Sequence, residues 1–352
     1  SIQTMRYVKS VPRNEATGLV KEVYEMIADD FFINGSLTSH SKVPELLAGV
    51  WTGGRESMLV DDVLDRTTKE SLTAVVSQIN ECAYCGDMLV SLVHASDKHK
   101  EAKSLLSQNE EEIDDDKLRD ILLWTRAMVL DPDAGELPLP FAYEALPEVI
   151  ASILAISHIN RFSHIIMDGS PVKSVLGSRK IKSMGLRMFG HELKSTKTRH
   201  LTPDRTKSLL PQVPLPEDMR WAGENPRIAR AVSRWAGAIE REALPVLPLN
   251  VVELVLENLQ QWDGGLMPIS RNWVEMETKE LDGHERDLAR FALIVAKSAP
   301  QIDENLVQRV FENEEQFIRL LAWASFSGAR RVASIVDAKA SKRGETAALA
   351  CA

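Results

Sequence analysis

Apolar positions along the chain recur every three or four residues, and the apolar runs stop at proline or glycine without any sustained every-second-residue alternation. That pattern predicts helix almost throughout, and with it an all-α fold. The clearest run, Lys69 to Ile79, places Leu72, Val75, Val76 and Ile79 at helical spacing with Glu70 at its head. If residues 69–95 were one straight helix, Glu70 and Cys82 would stand about 18 Å apart. A break at Asn80-Glu81 is therefore the arrangement that would let a second helix fold back over the first and carry the next residues towards the carboxylate. Asn80 suits the start of that second helix, because its side chain can accept from exposed N–H groups of a first turn.

Directly after the break comes Cys82-Ala83-Tyr84-Cys85-Gly86, which holds two of the three cysteines at Cys-X-X-Cys spacing. On a first helical turn this spacing brings both sulfurs to one face, where a disulfide can form without unfolding anything. Unpaired N–H groups and the helix dipole there favour thiolate over thiol. Redox dithiol chemistry is the leading reading. Two inert core cysteines and half of a zinc site are the alternatives, and no second pair of ligands at metal-site spacing accompanies the motif. The third cysteine, Cys351, ends a small-residue tail, and the nearest histidines, His94 and His99, follow on the same expected helix. Neither a metal nor a cofactor is expected.

Lys69-Glu70, eleven intervening residues and Cys82-Ala83-Tyr84-Cys85, preceded by Val76-Ser77-Gln78-Ile79-Asn80, resemble the signature of the alkylhydroperoxidase D and carboxymuconolactone decarboxylase family. Asn160-Arg161 is similar to the last helix of its peroxidase-related members. Val43-Pro44-Glu45-Leu46-Leu47, Trp51 and Leu64-Asp65-Arg66 look like its usual lead-in. The resemblance covers roughly residues 15 to 167. It implies a helical fold whose dithiol cycles with a disulfide, with Cys85 as the peroxide-attacking nucleophile, Cys82 as the resolving thiol and Glu70 as the start of a proton relay. Helix polarity alone argues the other way for the two cysteines, since Cys82 lies nearer the helix start. One departure stands out: the family's histidine four residues after the second cysteine falls on Leu89, while Tyr84 occupies the position before that cysteine. His94 cannot substitute, because nine residues is a rotation of about 900°, which faces it away from Cys85. The thiolate would then depend on Glu70, Tyr84 or a water.

An internal repeat organises the rest. Residues 118–167 and 286–336 read alike, with Arg119 beside Arg290, Ala155 beside Ala324, and Arg161 beside Arg330-Arg331; Trp51 likewise parallels Trp235. Setting Glu253 on Glu70 puts Gly265 and Pro268 where Cys82 and Cys85 stand, so the second copy has no dithiol. Two tandem alkylhydroperoxidase D-like domains forming an intrachain pseudo-dimer are expected: residues 1–167 with the dithiol, and 217–340 without cysteines, followed by a flexible tail over 341–352. The second copy is expected to bury the apolar face of the first, with Gly264-Gly265, Trp262, Met267 and Trp273 as core more than pocket. Further association into a homo-oligomer is expected by analogy with single-domain members of the family.

Between the copies, residues 168–216 hold ten Lys or Arg against Asp168, Glu192 and Asp204, a net charge of 10 − 3 = +7 in a chain of −9, leaving −16 elsewhere. This basic linker reads as a solvated connector or as a segment lying across acidic surfaces. Nucleic acid is not an expected partner, because Phe189 is its one aromatic residue, and Glu110 to Asp116 reads as a solvated acidic turn, not a metal site. No run approaches eighteen apolar residues and Ser1-Ile-Gln-Thr-Met-Arg6 lacks a signal-peptide core, so a cytoplasmic protein without a membrane partner is expected. In a reducing compartment a lone Cys-X-X-Cys is more often catalytic than structural. The function expected is a thiol-dependent oxidoreductase that reduces a hydroperoxide or a partner disulfide and is restored by a thiol reductant. A decarboxylase-like acid–base enzyme on the same scaffold, or a non-catalytic ligand-binding regulator similar in outline to sestrins, are the alternatives.

Overall fold

A computed structural model describes residues 5–172 and 178–351, with side chains described as far as Ser341. Lys173, counted above in the basic segment, and Ser1 to Thr4 lie outside the described residues. The protein is all-α: among the described residues there is no strand, only an isolated bridge between Met5 and Met167. The helices run in the order α1 (Gly18–Asp30), α2 (Gly35–Thr38), α3 (Pro44–Gly54), α4 (Arg66–Ile79), α5 (Ala83–Ala95), α6 (His99–Leu106), α7 (Asp116–Leu130) and α8 (Leu146–Ile166). They continue through α9 (Arg179–Glu192), α10 (Lys194–Lys197), α11 (Pro226–Ala243), α12 (Leu249–Gln261), α13 (Asn272–Glu277), α14 (Gly283–Ser298), α15 (Glu304–Val310) and α16 (Glu314–Cys351). A π-helical turn over Arg55–Leu59 prolongs α3.

Local chemistry sets several of these boundaries. Asp65 caps α4 by accepting from the Thr68 N–H at 2.8 Å, Asp115 does so for Leu118 at α7, and Asn225 for Ile228 at α11. Pro147 and Pro226 sit in the first turns of α8 and α11, where a missing N–H leaves no bond unmade. α4 buries Leu72, Val75 and Val76 as its periodicity predicts. Its C-terminus lies at Ile79, and Glu81, with φ of +55°, turns the chain so that α5 folds back along α4.

α8 is the central helix: nearly every residue of it is buried, and it packs on α3, α4, α5 and, most extensively, α16. Its composition and length would let it cross a membrane, but here it is the core of the bundle. α3 meets α11 where Gly49 and Gly53 leave room for the Trp235 indole; a Cβ at Gly53 would lie 2.1 Å from its ring. Around this junction His40, His158, Trp235 and Phe326 form a buried aromatic cluster. His40 Nδ1 lies 3.1 Å from the Leu37 carbonyl and Nε2 lies 3.2 Å from His158 Nε2. The first contact makes Nδ1 the protonated nitrogen of His40, so its Nε2 accepts and His158 donates; both rings are neutral. Burial drives the His40 pKa down to about 3 and that of His158 well below the usual histidine range.

Residues 178–216 differ from a solvated connector. α9 packs along α5, with Gly190 against the Ser91 carbonyl and His94 Cβ. Arg199 donates to the carbonyls at the end of α1, and Arg205 pairs with Asp29 and Asp30. The attraction of a basic segment for acidic surface is thus met within the chain. Of the positions aligned with the dithiol region, Glu253 is exposed on α12, and Gly265 and Pro268 lie in the loop between α12 and α13. The segment expected as a flexible tail continues α16 as helix to Cys351.

Candidate functional site

Cys82 and Cys85 form a disulfide at the start of α5, with their Cα atoms 5.4 Å apart. Asn80, expected to cap this helix, instead ends α4: its amide donates to Asn160 Oδ1 at 3.0 Å, and Asn160 in turn donates to Ser77 Oγ at 2.9 Å. The capping position of α5 falls to Cys82 itself, whose sulfur accepts from the Cys85 N–H at 3.3 Å. When reduced, that sulfur occupies the place where a helix favours negative charge. Both cysteines are buried, at 3% and 4% exposure.

The two sulfurs are not equivalent in their surroundings. Cys85 lines a largely apolar chamber of about 70 Å³, and Cys82 does not. The chamber walls come from α3 and its π turn (Trp51, Met58, Leu59), α5 (Tyr84, Met88, Leu89) and α8 (Ile156, Ile159), and Glu70 supplies an acidic group. Of the residues singled out by sequence, Glu70, Tyr84 and Cys85 therefore meet at one cavity, and Cys82 sits directly behind. Leu89 is part of the wall, so an apolar side chain stands where the family resemblance would place an imidazole. His94 faces away, in contact with His99 through their Nδ1 atoms at 2.8 Å, and burial lowers its pKa to about 4.

Glu70 is fully buried and held by two cations: Arg66 Nε lies 3.2 Å from Oε2, and Lys197 Nζ contacts Oε1. Lys197 also lies 3.2 Å from Thr67 Oγ1, and Arg66 donates to the Thr196 carbonyl at 2.9 Å. Burial lowers the Lys197 pKa against the raising effect of Glu70. Across the chamber Arg55 is neutralised by Asp30 and Glu56 and donates to the Thr202 carbonyl. Sequence reading counted Lys197 only as one of many charges in the basic segment. Nothing in the local pattern marks a lysine that will insert 127 positions away onto a buried glutamate.

Arg161, noted with Asn160 in the resemblance, turns from the chamber. Its Nε donates to the Ala296 carbonyl at the end of α14 at 2.8 Å, its Nη1 donates to Ser157, and desolvation lowers its pKa to about 10. It joins α8 to the second half of the chain. Among the described residues no cluster of His, Cys, Asp and Glu has the arrangement of a metal site.

No family model matches the chain. A curated protein of Mycobacterium tuberculosis named alkyl hydroperoxide reductase is 25% identical over 345 residues, an alignment that spans 96% of this chain and 96% of that protein. The similarity is thus to a chain of the same extent, both halves included, and it makes the alkyl hydroperoxidase-like family a plausible assignment.

Proposed function

We propose that the protein is a thiol peroxidase that reduces an organic hydroperoxide at Cys85, resolves the product with Cys82, and is restored by a small thiol reductant. The observation that carries this reading is a disulfide-forming cysteine pair of which one sulfur opens on an apolar chamber. In the forward step, the Cys85 thiolate attacks the terminal peroxide oxygen, the O–O bond breaks, and the alkoxide takes up a proton to leave as an alcohol. Cys85 becomes a sulfenic acid; Cys82 then attacks its sulfur, the disulfide forms, and hydroxide leaves with the Cys82 proton as water. Two thiols and one hydroperoxide give one disulfide, one alcohol and one water. Of the polar groups lining the chamber, which also include Asn34, Ser36 and Arg55, Glu70 and Tyr84 would exchange the proton.

The apolar lining favours an alkyl hydroperoxide over a polar oxidant, and the burial of both sulfurs disfavours direct attack on a folded partner's disulfide. The mycobacterial relative's name points the same way. The pairing of α3 with α11 and of α8 with α16 supports reading the chain as two related helical units packed like on like, the second serving as scaffold. The test is a pulse of cumene hydroperoxide on the reduced protein, with thiol trapping and mass spectrometry. Wild type should form the Cys82–Cys85 disulfide, Cys82→Ser should stop at a trappable Cys85 sulfenic acid, and Cys85→Ser should be inert. A sulfenic acid on Cys82 would reverse the assigned roles, and inert wild-type thiols would remove the peroxidase reading.

A further inference from the structure

We propose that Lys197 sets the ionisation of the dithiol through Glu70, taking over at a distance the electrostatic task for which the chamber has only Leu89. The inference deepens the redox reading of Cys82 and Cys85 but concerns their ionisation alone.

Glu70 and Cys85 both line the chamber. Lys197 and Arg66 line a separate polar cavity of about 280 Å³, with Asp61, Asp65, Arg199 and His200. The Glu70–Lys197–Arg66 cluster thus stands between an apolar chamber and a polar cavity. Its side chains are 0%, 7% and 8% exposed. Within the cluster one carboxylate stands against two cations, and each of these cations favours a thiolate in the chamber. Arg66 Nη2 is buried without a hydrogen-bond partner, so part of that positive charge is not quenched locally.

The other charged or titratable groups around the cluster are Asp65 at the cap of α4, Asp61, Arg199 and His200 in the polar cavity, Tyr84 on α5, and Arg55 on the far side of the chamber, the last offset by Asp30 and Glu56. Asp65 offsets the excess positive charge of the cluster, so the electrostatic signature lies in the change each variant makes and not in the sum. Removing Lys197 takes one positive charge from the wall and should raise the dithiol midpoint, whereas neutralising Glu70 takes one negative charge away and should lower it. A merely structural lesion would open the site to water and move both variants in one direction, towards an ordinary thiol. Lys197 is therefore a positioning residue with a signed signature.

The experiment titrates the reduced full-length protein by ultraviolet thiolate absorbance, taken as the difference from the disulfide form, which isolates the Cys82/Cys85 pair from Cys351. Lys197→Met should raise the first midpoint by about one pH unit, Glu70→Gln should lower it by about one, and Lys197→Arg should stay at the wild-type value. Shifts of one sign in both Met and Gln variants, or no shift in either, would overturn the proposal. Should Lys197→Met not fold, the double variant Glu70→Gln/Lys197→Met restores the wild-type wall charge and must titrate about one unit above Glu70→Gln; equality overturns the proposal. If the midpoints move as stated while a hydroperoxide pulse leaves the wild-type thiols unoxidised, the peroxidase reading falls and the Lys197 coupling stands.

Discussion

Acidification should unfold this protein through the His40–His158 pair before its carboxylates are fully titrated. Both rings are buried and neutral in the folded state, and the His40 pKa is lowered to about 3 by desolvation. In the unfolded chain each histidine binds a proton near pH 6.5. The folded pKa lies below the unfolded one, so the stability contributed is fully present above pH 6.5 and is lost as pH falls towards the folded value. Each pH unit below 6.5 removes about 1.36 kcal/mol per ring. At pH 4.5 the loss from His40 is about 2.7 kcal/mol, and the same figure holds for any folded pKa below about 4. His158, lowered in the same direction, adds to it. The assay is urea unfolding at pH 7.0 and 4.5 for wild type and for His40→Gln, whose amide oxygen can still accept from His158 Nε2. The carboxylate contribution is common to both proteins, so the variant should lose about 2.7 kcal/mol less than wild type over this interval. Equal losses would mean that His40 titrates in the folded protein much as it does unfolded, and the argument from burial would fail.

Gly53→Ala should drive α3 from α11, because its Cβ would fall 2.1 Å from the Trp235 ring; a thermal melt should show a loss of about 1–3 kcal/mol, while a silent substitution would mean the two helices are free to separate. Leu89→His should place an imidazole in the chamber wall and accelerate peroxide-driven disulfide formation about tenfold or more, with a new dependence on pH in the histidine range; an unchanged rate in stopped-flow would show that proton transfer does not limit the step. Gly190→Leu, at a site where even a Cβ would stand 2.4 Å from the Ser91 carbonyl, should lift α9 from α5 and expose the segment between α8 and α10 to limited proteolysis.

Helix content and the position of the dithiol were legible because they follow from short-range periodicity and spacing. The turn at Asn80-Glu81 was legible for a geometric reason: a straight helix keeps Glu70 from Cys82, and breaking it there brings Glu70 and Cys85 to the same chamber. The cap of α5 was not legible, since Asn80 is an excellent capping residue in isolation and is diverted by Asn160 and Ser77, more than seventy positions on in the first case. The basic segment was misjudged where it was read as a connector, because charge composition does not say which lysine will be desolvated. Arg66, seen only as part of a lead-in, and Lys197 became part of the site through tertiary placement alone.

The placement of α8 bears on how the molecule melts. Its side chains close the chamber at Ile156 and Ile159, reach α14 through Arg161, and fill the seam with α16. A helix owned by both halves leaves no plane along which one could unfold and the other persist. Scanning calorimetry of the intact chain should accordingly show a single endotherm whose van't Hoff and calorimetric enthalpies agree, and the first 167 residues expressed alone should expose the α8 face and aggregate. The half without the dithiol would then govern the lifetime of the cysteine pair by cooperativity, without supplying an atom to its chemistry.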